Sequence, residues 1–378
     1  AGRTEATLWW TWDTHALQPG VETLTFTLLP DGPTWQETIT LHPQSGVPPP
    51  EPGAHWAVLT SDCCALNYIT GTAAERDIAS LAHVADEQAA DLAARMAESL
   101  SEKIPVVFMP RVLGNGGFAG IAIYVSYLDS DYLGNATAQV LHHEFVHWFD
   151  SLAGGDLRPT IFQEGLAVYL SGGHFKPEPL ISRAAALLEL GWYIPLRTLA
   201  DDFYPKQHEI GYLEAAALVE YLVETYGWEA FDAYYRDIHA TPDGRDSQAI
   251  DAALREHFQI TFAELEGSYL EFLKGQTVPS NVRDDLRLSV QFYDTVRRYQ
   301  QALDPSAYFM TAWLPDYMTM SQRGIVADFL RHPSGMDNRL IEAMLVNADH
   351  SLRAGEYNQA ERTLKGVNVL LAVLADGE

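Results

Sequence analysis

The chain has 378 residues, 47% of them hydrophobic, enough for a real core spread over two or three domains. Its 51 acidic and 24 basic residues leave a net charge of -27, which argues against nucleic acid and anionic membrane surfaces as partners. No run of 18 apolar residues is present to span a bilayer.

Residues 7–12, 23–29 and 36–41 alternate in strand fashion, with Leu24, Phe26 and Leu28 on one face. The proline-rich run from Pro43 to Pro52 reads as a linker, so residues 1–55 form an N-terminal β segment. Cys63 and Cys64 are the only cysteines. Adjacent cysteines rarely bridge, so no disulfide framework is expected and the redox compartment stays open. An alanine-rich helix follows at about 73–100, then a strand over Ile104–Met109. The segment from Asn115 to Val125 is glycine-rich, then β-branched, and predicts a loop entering a strand.

The next segment carries the strongest signal, His143-Glu144-Phe145-Val146-His147. Residues four apart share one face of a helix, so two imidazoles can meet one metal ion. Glu144 lies about 100° round the helix from His143, close enough to touch a water on that metal. This is the His-Glu-x-x-His pattern of zinc peptidases. The expected helix starts at a cap from Asn135 or Thr137 and ends at Gly154-Gly155. Asn135-Ala136-Thr137 also matches a glycosylation sequon, but the capping role explains it better.

A catalytic zinc site takes three protein ligands and keeps one open position. Glu164 is the candidate third ligand, in the helix reading Ile161-Phe162-Gln163-Glu164-Gly165-Leu166-Ala167-Val168-Tyr169-Leu170. Thr160 and Gln163 fit a capping box, and Gly172-Gly173 closes the helix. The short turn from Gly154 to Pro159 predicts a helical hairpin. Gly165 and Ala167 are small enough for close approach. Asp150, one turn past His147, reads either as the partner of a ligand imidazole or, more simply, as a solvated acid near the helix end.

His-Glu-Phe-Val-His followed by Phe-Gln-Glu-Gly-Leu-Ala-Val-Tyr resembles the gluzincin peptidases, specifically the bacterial peptidase MA-like group. The resemblance implies an α+β zincin-like fold, one catalytic Zn2+ held by His143, His147 and Glu164, and Glu144 as general base. It departs in one respect: 16 residues separate His147 from Glu164, fewer than in thermolysin-like and aminopeptidase relatives. The stretch from Gly211 to Leu222 looks like the helix that supplies the transition-state tyrosine in such enzymes, which makes Tyr212 the candidate oxyanion donor. His208 is the rival donor. His83 and His174 lack a partner motif and read as structural or surface histidines. Related zincins bind the substrate backbone along an edge strand, which points to Gly117 and Ala119; a plain sheet strand with a glycine bend fits equally. The aminopeptidase signature Gly-x-Met-Glu-Asn is replaced here by Gly120-Ile121-Ala122-Ile123-Tyr124, which favours an endopeptidase.

The front piece resembles the β-sandwich segment that precedes the peptidase in family members. Helical spacing continues over 182–190, 212–226, 229–239 and 247–274, and the peptidase is expected to span 56–275. Residues 276–378 read as a helical region, in which Leu352 to Glu361 resembles one tetratricopeptide-type hairpin. The expected protein is a zinc metalloendopeptidase acting on peptides or proteins. The chain starts at Ala1 without Met, so a removed signal or anchor and an extracellular or surface-tethered location are expected. The alternatives are an aminopeptidase, or a binding module on the same fold.

Overall fold

The structure, a computed structural model, describes residues 12–14, 16–46, 50–110, 116–129, 131–134, 136–174, 176–305, 307–308, 316–330, 333 and 335–376. Of the expected strand at 7–12, all but Trp12 lies outside them, as do Asn115 and the Asn135 cap.

Two strands, β1 (Gly20–Thr27) and β2 (Thr34–Leu41), pair antiparallel as a separate hairpin. Phe26 stacks on Trp35 at 5.3 Å, and Leu24 lies on the same half-buried face. Leu28 falls beyond the strand and is exposed.

The central sheet has five strands: β3 (Trp56–Thr60), β4 (Cys64–Ile69), β5 (Ile104–Met109), β6 (Gly117–Ala119) and β7 (Ile123–Ser126), in the order β3-β4-β5-β7-β6. The middle pairs β4–β5 and β5–β7 run parallel, and both outer strands run antiparallel to their neighbours. A strand covered on both faces reads as a continuous apolar run, and β5 does so. Ile104, Val106 and Phe108 join the core under the helices; Val107 and Met109 join the core on the opposite face. Helices α1 (Ala73–Met96) and α2 (Thr137–Ala153) pack on the first face. Tyr317 and Met320 of α11 (Tyr317–Gln322) and Phe329 of α12 (Ala327–Leu330) cover the second.

The helices between are α3 (Thr160–Leu170), α4 (Leu180–Leu190), α5 (Leu196–Asp201), α6 (His208–Tyr226), α7 (Trp228–Arg236), α8 (Asp246–His257), α9 (Phe262–Lys274) and α10 (Ser280–Leu303). Where one helix was expected over 247–274 there are two. Thr261 closes a capping box with Glu264 at the start of α9, and Gln259 sits just before it at φ 59. The C-terminal helices α13 (Met336–Arg353) and α14 (Tyr357–Asp376) form a hairpin that packs on α10. Tyr132 and Leu133, which precede α2, are buried in that C-terminal core. The expected boundary at Gly275 falls in the turn between α9 and α10, and α10 packs on α4 and α6 as well as on α13 and α14. Among the described residues, no helix is long and apolar enough to cross a membrane.

Three local expectations are corrected. Thr137 and Thr160 are the first residues inside their helices, not caps; the cap positions are Ala136 and Pro159, and neither helix has a side-chain cap. Cys63 and Cys64 are joined to each other by a disulfide. They sit in a turn held from outside: Asp86 takes the Cys63 N–H at 2.7 Å and the Ser61 hydroxyl at 2.8 Å.

Candidate metal centre

His143 and His147 lie one above the other on α2, and Glu164 reaches them from α3. The close packing of α3 on α6 sets that reach. A Cβ on Gly165 would stand 2.5 Å from the Ala215 carbonyl oxygen, so only glycine lets the helices approach this far next to Glu164. The two Nε2 atoms are 3.2 Å apart, and Glu164 Oε2 lies 3.5 Å from His143 Nε2 and 3.4 Å from His147 Nε2. Ligands at about 2.0–2.1 Å from a tetrahedral ion stand roughly 3.3–3.4 Å from one another. The triangle therefore has the size of one face of a zinc tetrahedron. The donors, two imidazoles and a carboxylate, suit Zn2+ among other first-row divalent ions. The described residues place a second possible metal-holding group at Cys63, Cys64 and Asp86, where the two sulfurs are taken up in the disulfide.

Electrostatics within the triangle are tightly linked. Burial holds His143 down to about 4 despite the hydrogen bond to Glu164. Burial also opposes charge on His147, but the Glu164 carboxylate outweighs it and raises the imidazole to about 9. Against its own burial, Glu164 is held well below the usual carboxylate range by His147 and by hydrogen bonds from both rings.

Glu144 lies beside the triangle on α2. Burial pushes its carboxyl up to about 8, with His147 and the Ala119 N–H opposing the rise and Glu164 adding to it. Its Oε2 is buried and takes no hydrogen bond from the described residues. A carboxylate so placed can accept and release a proton near neutrality. Gly117 makes the room: a Cβ there would stand 2.9 Å from Glu144 Oε1 and 2.7 Å from Val140 Cγ1.

β6 is the sheet edge nearest the centre. Hydrogen bonds from Ser126 N–H to Gly116 C=O and from Gly120 N–H to Ala122 C=O set the pairing phase with β7. By the alternation of antiparallel ladders, the backbone groups of Gly117 and Ala119 face the open edge. That is the orientation strand addition needs, although the Ala119 N–H already serves Glu144.

A cavity of about 380 Å³ opens over the centre. Tyr212 and His208 both line it, from the first two turns of α6. Burial keeps the Tyr212 phenol protonated, well above its usual range, so it can only donate a proton to a developing oxyanion. His208 is held well below its usual value by burial and then by Arg297. Arg297 has only donors, so His208 Nδ1, 3.2 Å from Arg297 Nη2, accepts and Nε2 carries the ring proton.

Several site residues escape a reading of the sequence. His174, expected to be structural, lines the cavity; its ring stacks on Tyr212 at 4.4 Å, and its Nδ1 is held by Glu209 at 3.0 Å. Glu209 is in turn bound by the buried Arg183 at 3.0 Å. Tyr204 donates its hydroxyl to Glu164 Oε1 at 2.7 Å. Tyr293, Val296 and Arg297 of α10 complete the wall. No motif marks any of them, because they reach the site through long connections and helix packing. His83 is exposed and pairs with Glu87 on α1, as an ordinary surface histidine does.

Asp150 fits neither expectation. It is 1% exposed, so it is no solvated acid, and its described hydrogen bonds come from Arg236 at 2.5 Å, Tyr235 at 3.1 Å and Arg158 at 3.4 Å. It does not hold His147, whose Nδ1 is buried without a hydrogen-bond partner among the described residues. α7 brings its cation against the end of α2 and captures the acid first.

Compared with known proteins, the chain matches no family model and no curated protein.

Proposed function

We propose that this protein is a zinc metalloendopeptidase of zincin-like architecture, related to the gluzincins. The observation that carries the reading is the triangle of His143 Nε2, His147 Nε2 and Glu164 Oε2, with edges of 3.2, 3.4 and 3.5 Å. Zinc, when held there, would acidify a water and polarise the scissile carbonyl.

The chain's own residues supply the rest. Glu144 takes the proton of the attacking water at its carboxylate and returns it to the leaving nitrogen. Tyr212 donates from its phenol to the oxyanion, and His208 lines the same cavity from one turn earlier on α6. The outward backbone of β6 aligns an extended chain across the centre.

The test is metal content together with cleavage of a library of amino-terminally blocked peptides. Wild type is expected to hold one zinc per chain and to cut blocked peptides. Glu144→Gln is expected to keep the zinc and to cut roughly 10²–10⁴-fold more slowly. Cleavage restricted to free amino termini would make it an aminopeptidase. One zinc with no cleavage by either protein would leave a binding module.

A further inference from the structure

The loop 171–179, between α3 and α4, carries His174 into the cavity wall, and charges on α4, α6 and α10 hold it there. Gly173 precedes His174 at φ 149, and a Cβ there would stand 2.0 Å from the Lys176 carbonyl oxygen, so the turn requires glycine. Gln139 of α2 donates to the Gly173 carbonyl at 2.8 Å. Lys176 pairs with Asp285 of α10, and Glu178 lies 3.1 Å from Arg183 of α4. Arg183, 1% exposed, also binds Asp285 and reaches Glu209 of α6 at 3.0 Å. Glu209 holds His174 Nδ1 at 3.0 Å with its other oxygen. Burial opposes charge on Glu209, but the bonds from His174 and Arg183 outweigh it and keep the carboxyl below its usual range. An ionised carboxylate only accepts, so Nδ1 is the donor.

The imidazole so fixed lies nearly flat on the ring of Tyr212, with centroids 4.4 Å apart and planes 20° from parallel. The other described rings meet Tyr212 at steeper angles: Phe203 at 75°, His208 at 49° and His143 at 43°. Resting on the peptidase reading, we propose that His174 is a positioning residue, which holds the Tyr212 phenol beside the metal centre by stacking on its ring. An oxyanion donor has its full effect only when it is aimed where charge develops. A tyrosine side chain turns about two bonds, and stacking on a fixed plane removes that freedom. Arg183 and Asp285 do not line the cavity, yet they fix the carboxylate that sets the imidazole plane. The charge network thus reaches the reacting groups through one ring, without a contact to substrate.

Turnover of amino-terminally blocked peptides, metal content and crystal structures of the same proteins test this. His174→Asn keeps an N–H for Glu209 and removes the ring face. It is expected to hold one zinc, to lower kcat by about 10–100-fold and to leave KM within about threefold, because a misplaced donor is missed only in the transition state. In a Tyr212→Phe background, itself slower by roughly 10²–10³-fold, the same substitution should change kcat by less than about twofold. His174→Phe keeps a flat ring and should recover most of the loss. His174→Leu, which has bulk without a flat face, replaces the asparagine variant if that one does not fold. In crystals of His174→Asn the Tyr212 ring should be displaced while His143, His147 and Glu164 keep their places. Equal losses in the two backgrounds, an unmoved Tyr212 ring, or a Tyr212→Phe protein as fast as wild type overturns the proposal. So does a phenylalanine variant no faster than the asparagine one, because an imidazole nitrogen then acts in place of the ring face. A wild type that cuts no peptide, with the Tyr212 ring still displaced in His174→Asn, would sink the peptidase reading and leave the positioning role standing.

Discussion

The Tyr204 hydroxyl lies 2.7 Å from Glu164 Oε1, while the other oxygen of the same carboxylate faces both histidines. One phenol from the loop before α6 thus fixes which oxygen Glu164 presents. Groups that orient a metal ligand commonly contribute 10–100-fold to affinity. Tyr204→Phe is therefore expected to weaken zinc binding by about tenfold, read by competition with a chromophoric chelator. An unchanged affinity would mean that helix packing alone positions Glu164.

Gly117→Ala addresses the proposed base, Glu144. The added methyl would meet both the Glu144 carboxylate and Val140, so the carboxylate must move. A misplacement of about 1 Å can cost roughly 10²-fold in rate. The expected result is a kcat lower by about 10–100-fold with a full complement of zinc, from paired assays of turnover and metal content. A variant as fast as wild type would show that Glu144 tolerates displacement.

Asp150→Ala separates stability from metal binding. The substitution leaves Arg236 and Tyr235 without their buried carboxylate. Breaking one side of a buried ion pair costs about 3–5 kcal/mol. Urea denaturation should show a loss of that order, and zinc stoichiometry should stay at one in the folded protein. Weaker zinc binding with unchanged stability would instead return Asp150 to the role of a histidine partner.

Glu214 sets a pH dependence. It is fully buried on α6, with Oε1 accepting the Ile194 N–H at 2.7 Å and Oε2 without a partner among the described residues. Burial first, and Glu266 second, raise its pKa well above the usual 4.5. The folded state then holds the proton more tightly than the unfolded one. Stability from this group is fully present below about 4.5 and falls as pH rises toward the folded value, by up to ~1.4 kcal/mol per pH unit. Glu214→Gln can keep the contact to Ile194 without any charge. Its stability relative to wild type, from denaturation at pH 5, 6, 7 and 8, should rise with pH. A constant difference across that range would contradict the assignment.

The candidate centre is legible in the sequence. His143 and His147 are four residues apart on a continuous apolar helix, and Glu164 follows a short turn, so helix periodicity and hairpin packing bring all three together. The strand Ile104–Met109 and the glycine ends of α2 and α3 were legible for the same reason, because each is a local pattern. Caps were less so. Thr137 and Thr160 have the right chemistry, but each is already inside its helix, where its side chain can no longer serve the cap.

By itself the sequence determined the His-Glu-x-x-His pattern on one helix, the carboxylate within it and the mixed α+β character, because helical and strand periods are properties of short segments. Only the tertiary structure decided which acids and phenols surround them. His174, Tyr204 and Arg297 reach one cavity from three separated stretches, and Asp150 is claimed by Arg236 across 86 residues of chain. Such contacts depend on how buried helices pack, and no spacing within any one segment encodes them.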